Sequence, residues 1–176
     1  MNIKKYKSII ITGIVILIVA VIYLQVWLQS YNQANMYYQQ ALKKYSAGDY
    51  ISALKGEMVT TAKGNSFSGG FQQVLETWQS PYAIPKPGIV KVASAQISDI
   101  INHKLTLDAG MQAFKTYYGL DNRFLGQIVV RMGDMYAAKG DDSNAKEMYN
   151  TAMQAFPLDK NLVAECNKKI KELKNK

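Results

Sequence analysis

The stretch GQIVVRMGDMYAAKGDDSNAKEMYNTAMQAFPLD, residues 126–159, decides the fold. Its first half belongs to a helix expected over Arg123–Lys139, stopped at Gly140, a residue that tolerates the left-handed conformation at a helix end. Its second half predicts a helix over Ser143–Phe156, with Asp142 placed to cap its start and Pro157 beyond its end. The adjacent pair Asp141 and Asp142 is turn and cap chemistry. Two helices with a turn this short must lie side by side, so the unit here is a helical hairpin.

Working outward, the same punctuation recurs. Downstream, Asp159 caps a helix over Lys160–Leu173, whose Leu162, Cys166, Ile170 and Leu173 share one face, with lysines on the other. Upstream, helices are expected over Ile89–His103 and Leu107–Tyr118, with Thr106 and Asp121 as starts and Gly119 as a stop. Before them the run PYAIPKPG, with Pro81, Pro85 and Pro87, is an exposed connection. It follows a short helix over Phe71–Gln79 and a loop over Gly64–Gly70. A further helix is expected from Tyr50 to about Lys63, after a turn at Gly48 and Asp49. Between Ile14 and Ala47 there is neither Gly nor Pro, so one long helix should reach Tyr45. No run of alternating, turn-bounded β-branched residues asks for a sheet. The expected fold class is all-α.

The N-terminal part of that long helix has its own meaning. No charged residue lies between Lys7 and Lys43, and Ile9–Leu28 holds 14 Ile, Val or Leu residues. Twenty helical residues reach roughly 30 Å, the thickness of a bilayer core. Tyr6 at one end, with Tyr23 and Trp27 at the other, stand where interfacial aromatic belts are expected. A cleaved signal peptide has a shorter apolar region and a small-residue cleavage site, and nothing between Leu24 and Gln33 supplies one. A buried core helix is rarely apolar on every side. The reading is a cytoplasmic N-terminus at 1–8, a transmembrane helix at 9–29 in contact with the lipid bilayer, and a helical domain at 30–176. Lys4, Lys5 and Lys7 precede the span and no Lys follows within fourteen residues. The positive-inside rule therefore puts the domain outside the cytoplasm.

The length of 176 residues suits one domain plus an extra segment. The net charge of +8 is not a nucleic-acid signal, because it is concentrated at the ends. Three charges are Lys4, Lys5 and Lys7, and a net four lie in Lys168–Lys176, leaving about +1 for everything between. A nucleic-acid face needs its cations clustered on the folded domain, so no nucleic-acid partner is expected. The single Cys166 excludes an internal disulfide and reads as a small core residue. His103, the only histidine, has Asp99 as its one acidic neighbour within four residues and reads as a helix-end or surface residue. Ser52 and Lys55 spell S-x-x-K, but no S-D-N or K-T-G follows. Gly64 and Gly69 have phosphate-loop spacing, yet Gly70 and Phe71 stand where a Lys and a hydroxyl are needed. No catalytic residue, metal ligand or cofactor is expected, and the chain does not read as an enzyme.

Residues 126–159 also resemble the tetratricopeptide (TPR) repeat family. Val129, Met132, Gly133 and Tyr136 match the first helix of its pattern, and Gly140 the turn. Ala145, Tyr149, Ala152 and Pro157 match the second helix and its exit. Trp is replaced by Val129 and Leu by Met132. A second, partial copy covers about 34–67, with Tyr37, Ala41, Gly48, Tyr50 and Ala53 in register. A degenerate copy can be fitted over 90–123, and the helix at 160–173 serves as the cap of the stack. The resemblance implies a solenoid of paired helices, with close contact at Gly133 and Ala145. It also implies a concave protein-binding groove lined by Asn35, Tyr38, Leu42 and Tyr45, then by Gln127, Val130, Arg131, Asp134 and Ala138. The function it implies is a membrane-anchored adaptor or assembly factor that binds a protein partner, similar to single-span TPR proteins facing the periplasm of bacterial inner membranes. The alternative is a structural accessory subunit of a larger membrane complex.

Overall fold

A computed structural model describes residues 3–61 and 64–174. Helix α1, Ile3–Ser46, is unbroken, passing through Gly13 and meeting neither Gly nor Pro from Ile14 to its end. It stops where Gly48 turns to φ +81° and the amide of Asp49 reaches back to the carbonyl of Lys44 at 3.0 Å. Its apolar stretch is long enough to cross a membrane, and none of that stretch is buried. The elements that follow are α2 (Tyr50–Lys55), β1 (Glu57–Thr61), β2 (Gly64–Ser68), α3 (Phe71–Thr77), α4 (Gly88–Asp99), α5 (Leu107–Tyr117), α6 (Leu125–Ala138), α7 (Asp142–Ala155) and α8 (Lys160–Lys174). A π-helical segment, Ile100–Lys104, extends α4, and it closes with the amide of Leu105 on the carbonyl of Ile100 at 2.8 Å. The chain divides into two compact units, Met1–Ala95 and Gln96–Lys176. The expected copy at 34–67 lies in the first and the copy at 126–159 in the second.

The all-helical expectation needs one correction, in the first unit. The helix expected to run to Lys63 ends at Lys55, and the loop expected at Gly64–Gly70 is mostly strand. β1 and β2 form an antiparallel two-stranded sheet, with Glu57 opposite Ser68 and Val59 opposite Ser66. Lys63 itself lies outside the described residues. Gly56 makes the break at φ +81°, and a Cβ there would collide with the carbonyl of Ser68. Val59, Thr60 and Thr61 then favour extended backbone, since β-branched side chains lose rotamer freedom in a helix. The expected copy at 34–67 is therefore not a pair of full helices. The place beside α1 is shared by the six-residue α2 and by α3.

The packing of α3 on α1 explains the small residues of the long helix. Ala34 and Ala41 are two turns apart and fully buried, which lets α3 lie close. Phe71 then seats its ring 5.6 Å from Tyr38 and 6.3 Å from Tyr45, and Tyr45 meets Tyr50 edge-on at 5.4 Å. The start of α3 is fixed by Gln73, whose side-chain oxygen accepts from the amide of Gly70 at 2.8 Å. Its nitrogen donates to the carbonyl of Lys55 at 3.0 Å.

In the second unit the expected helices all form. Leu125, Ile128, Val129 and Met132 of α6 are buried, Ile128 and Met132 lying against Gly110 of α5. Ala145, Met148, Tyr149 and Ala152 of α7 are buried as α7 packs on α6, and Leu162 and Cys166 of α8 close the stack. A Cβ on Gly133 would lie 2.5, 2.8 and 3.0 Å from three atoms of the Tyr149 ring, so the glycine is what admits that ring. Thr106 caps α5 as expected, its hydroxyl accepting from the amide of Ala109. Asp159 does the same for α8 through Leu162. Two expected caps are corrected. Asp141, not Asp142, caps α7 by accepting from the amide of Asn144. Asp121 accepts from the amide of Arg123 within the preceding turn, and α6 begins after Phe124, a non-glycine residue at φ +63°.

Candidate functional site

The residues expected to line a groove fall into three groups. Tyr38, Leu42 and Tyr45 on α1 are half-buried, and both tyrosine rings pack on Phe71. On α6, Val130 is buried, whereas Arg131 and Asp134 are held by internal contacts. Asn35, Gln127 and Ala138 are exposed. The α1 set belongs to the first unit and the α6 set to the second.

Arg131 and Asp134 show what those internal contacts do. Arg131 Nη2 donates to the carbonyl of Asn102 at 2.6 Å, placing a cation at the C-terminal end of the α4–π segment, where the helix dipole favours it. Its Nε is buried without a partner among the described residues. The Asp134 carboxylate accepts from Tyr149 Oη and from Lys169 Nζ, each at 2.8 Å, and so ties α6 to α7 and α8 through one oxygen. Burial, then the bond to Asp134, pushes the Tyr149 hydroxyl far above the usual tyrosine range. Burial pulls Lys169 the other way, but the hydrogen bond and charge of Asp134, with Glu165, outweigh it, and the net shift is upward. Burial, with Glu165 nearby, pushes the Cys166 thiol up to about 11.

The other candidate chemistries have local explanations. His103 Nδ1 lies 3.2 Å from Asp99 Oδ1 on an exposed helix face. The amide of Ser52 is bonded to the cap Asp49, and Lys55, fully buried, donates to Gln72 Oε1 at 2.9 Å. Gln72 continues that chain to Glu76 at 2.7 Å. Gly64 lies in β2 and Gly69 just after it, away from any phosphate-type helix start of adequate length. Among the described residues, no group of three or more His, Cys, Asp or Glu side chains could hold a metal ion.

Each unit has a concave feature among its described residues. In the second, the α5–α6 and α7–α8 connections enclose a cleft of about 260 Å³, lined by Arg123, Phe124, Gln127, Phe156, Asp159 and Leu162. Gln127 is the groove candidate that reaches it. Phe124 is placed by its left-handed backbone, which costs a non-glycine residue roughly 1–2 kcal/mol. Leu120 and Leu158, on the same two connections, are 64% and 94% exposed. None of these but Gln127 was marked by the repeat pattern, and the only earlier sign is two large apolar residues inside turns.

In the first unit, Trp27 stacks on Tyr31 and meets Trp78 edge-on at 5.4 Å. Tyr23, Trp27, Ser30, Thr77, Trp78 and Ala83 surround a cavity of about 60 Å³. The connection after α3 is pinned there. Tyr23 Oη shares its one proton between the carbonyls of Ile84 and Tyr82 and accepts from the amide of Ile84, and Trp27 Nε1 donates to the carbonyl of Pro85 at 2.9 Å.

Comparison with protein-family models, with curated proteins and with solved structures returned no match.

Proposed function

We propose that this chain is a membrane-anchored protein-binding adaptor or assembly factor, held by α1 and acting through a TPR-like helical unit outside the cytoplasm. The observation that carries the binding half is the cleft between the α5–α6 and α7–α8 connections. Its 260 Å³ lies below the roughly 300–1,000 Å³ usual for small-molecule pockets, so it suits one or two side chains of a protein partner. Aromatic walls beside an arginine, rimmed by exposed Leu120 and Leu158, have the composition of an interface anchor. The close α6–α7 approach at Gly133 supports the repeat reading.

The test places a photocrosslinking residue at Gln127 or Leu158 of the full chain in native membranes, with Lys146 on the exposed face of α7 as the control. The expected result is a discrete protein adduct from the first two positions only, the Gln127 adduct lost with Leu158→Asp and the Leu158 adduct lost with Gln127→Arg, each variant keeping its helical spectrum. The same adducts from Lys146, or their survival in these variants, would reject the cleft. For topology, protease added outside spheroplasts should remove the domain and leave a membrane-embedded fragment. A protected domain would reverse the orientation taken from Lys4, Lys5 and Lys7.

The exposure of Leu120 and Leu158 also favours a second reading, a lasting subunit contact. An accessory subunit co-purifies with its partner at a fixed ratio, whereas an adaptor is recovered partly free.

A further inference from the structure

We infer that the connection Ser80–Pro87 is seated in the bilayer leaflet on the C-terminal side of the span, as a second membrane contact. This rests on α1 being the anchor. With the apolar span starting at Ile9, Tyr23 lies about 21 Å and Trp27 about 27 Å along a hydrocarbon core of about 30 Å. The connection is hydrogen-bonded to both side chains, so its backbone reaches the depth of the acyl chains nearest the headgroups. There it presents Tyr82, 83% exposed, and Ile84, 65% exposed, beside an apolar helix surface that is itself uncovered.

The backbone chemistry of the segment fits a seat at the interface, with the groups that face the span paired within the protein. Irregular backbone survives at membrane depth only when its polar groups find partners within the protein. Pro81, Pro85 and Pro87 have no N–H to satisfy. The amide of Tyr82 is bonded to Ser80 Oγ, that of Ala83 to the carbonyl of Ser80, and that of Ile84 to Tyr23 Oη. The carbonyls of Tyr82, Ile84 and Pro85 accept from Tyr23 or Trp27, and that of Pro87 from the amide of Val90. The amides of Ser80 and Lys86 and the carbonyls of Pro81, Ala83 and Lys86 have no partner among the described residues and are left to water at the headgroups. Lys86, exposed between two prolines, has the reach to place its ammonium among lipid phosphates while its stem stays apolar.

The full chain, in vesicles of phosphatidylcholine with phosphatidylglycerol, carries a polarity-sensitive fluorophore on a single introduced cysteine, with Cys166→Ala as background. The positions are Tyr82→Cys, Ile18→Cys within the span, and Met58→Cys. Met58 neighbours Glu57, which pairs with Lys44 some 30 Å farther along α1 than Tyr23. The expected result is a blue-shifted Tyr82 probe quenched several-fold more by a spin label near the lipid headgroup than by aqueous iodide. The Met58 probe should show the reverse preference. A Tyr82 probe that behaves like the Met58 probe while the Ile18 probe is quenched by lipid overturns the seating and leaves the anchor standing. An Ile18 probe open to iodide overturns both.

Discussion

Gly133→Ala separates packing from helix propensity, because the two act in opposite directions. In an exposed helix interior the change stabilises by roughly 1 kcal/mol. Here the added Cβ would stand 2.5–3.0 Å from three atoms of the Tyr149 ring, closer than carbon atoms pack. The ring has little room to yield, since Tyr149 is buried and its hydroxyl is held at 2.8 Å by Asp134, which Lys169 also grips. Overpacking typically costs about 1–3 kcal/mol. Displacing the ring also weakens a hydrogen bond to a charged acceptor, about 1.5–3 kcal/mol. Part of that bond survives relaxation, so the expected net loss is roughly 1–3 kcal/mol. Gly133→Leu should lose more. The assay is thermal unfolding of the full chain in detergent, followed by helical circular dichroism. One kcal/mol corresponds to roughly 4–8 °C in a unit of 60–100 residues. In a Tyr149→Val background Gly133→Ala should cost much less than in the parent, because the smaller side chain removes the collision. A melting temperature for Gly133→Ala equal to or above that of the parent would show that α6 and α7 do not meet at this position.

Two further outcomes follow from the same geometry. Tyr149, Lys169 and Cys166 all hold their protons more tightly folded than unfolded. The stability they contribute is therefore intact below their ordinary values and lost as pH rises through the folded ones. Urea midpoints should be flat through neutral pH and fall from about pH 9, with Cys166→Ala delaying the onset; a midpoint rising between pH 9 and 11 would contradict the packing of α8. Gly56→Ala should unsettle the hairpin by roughly 2–4 kcal/mol, combining a left-handed backbone with a collision at Ser68. Faster amide exchange confined to residues 50–73 reports it, and unchanged exchange would remove Gly56 as the hinge.

What the sequence conveys well is whatever is encoded within a turn or two of helix. Helices α4 to α8 were readable because Thr106, Asp159, Gly119 and Gly140 punctuate them locally. The apolar length of α1 needs no tertiary partner to be recognised. The hairpin was not readable in this way. Its β-branched run is only Val59–Thr61, and its position depends on Gly56, Ser68 and Gln73 meeting across a chain separation of 12–17 residues. The same limit explains the candidate groove. Tyr38 and Tyr45 have the composition of an interface, but Phe71, 33 and 26 residues later, occupies them. Arg131 and Asp134 likewise find partners 29 and 35 residues away. Phe124 and the cleft it borders depend on a backbone angle that no local pattern announces.

The continuity of α1 has a mechanical consequence. From Gln29 to Ser46 the helix projects about 27 Å beyond the apolar stretch with no joint. On the proposed anchoring, this makes it a stiff lever whose fulcrum lies in the lipid. Spans tilt to match the thickness of the bilayer around them. A change of about 10° in tilt would carry the end near Ser46 sideways by about 5 Å. Bilayer thickness, a property of the lipid, would then help set where the first unit's hairpin stands over the surface.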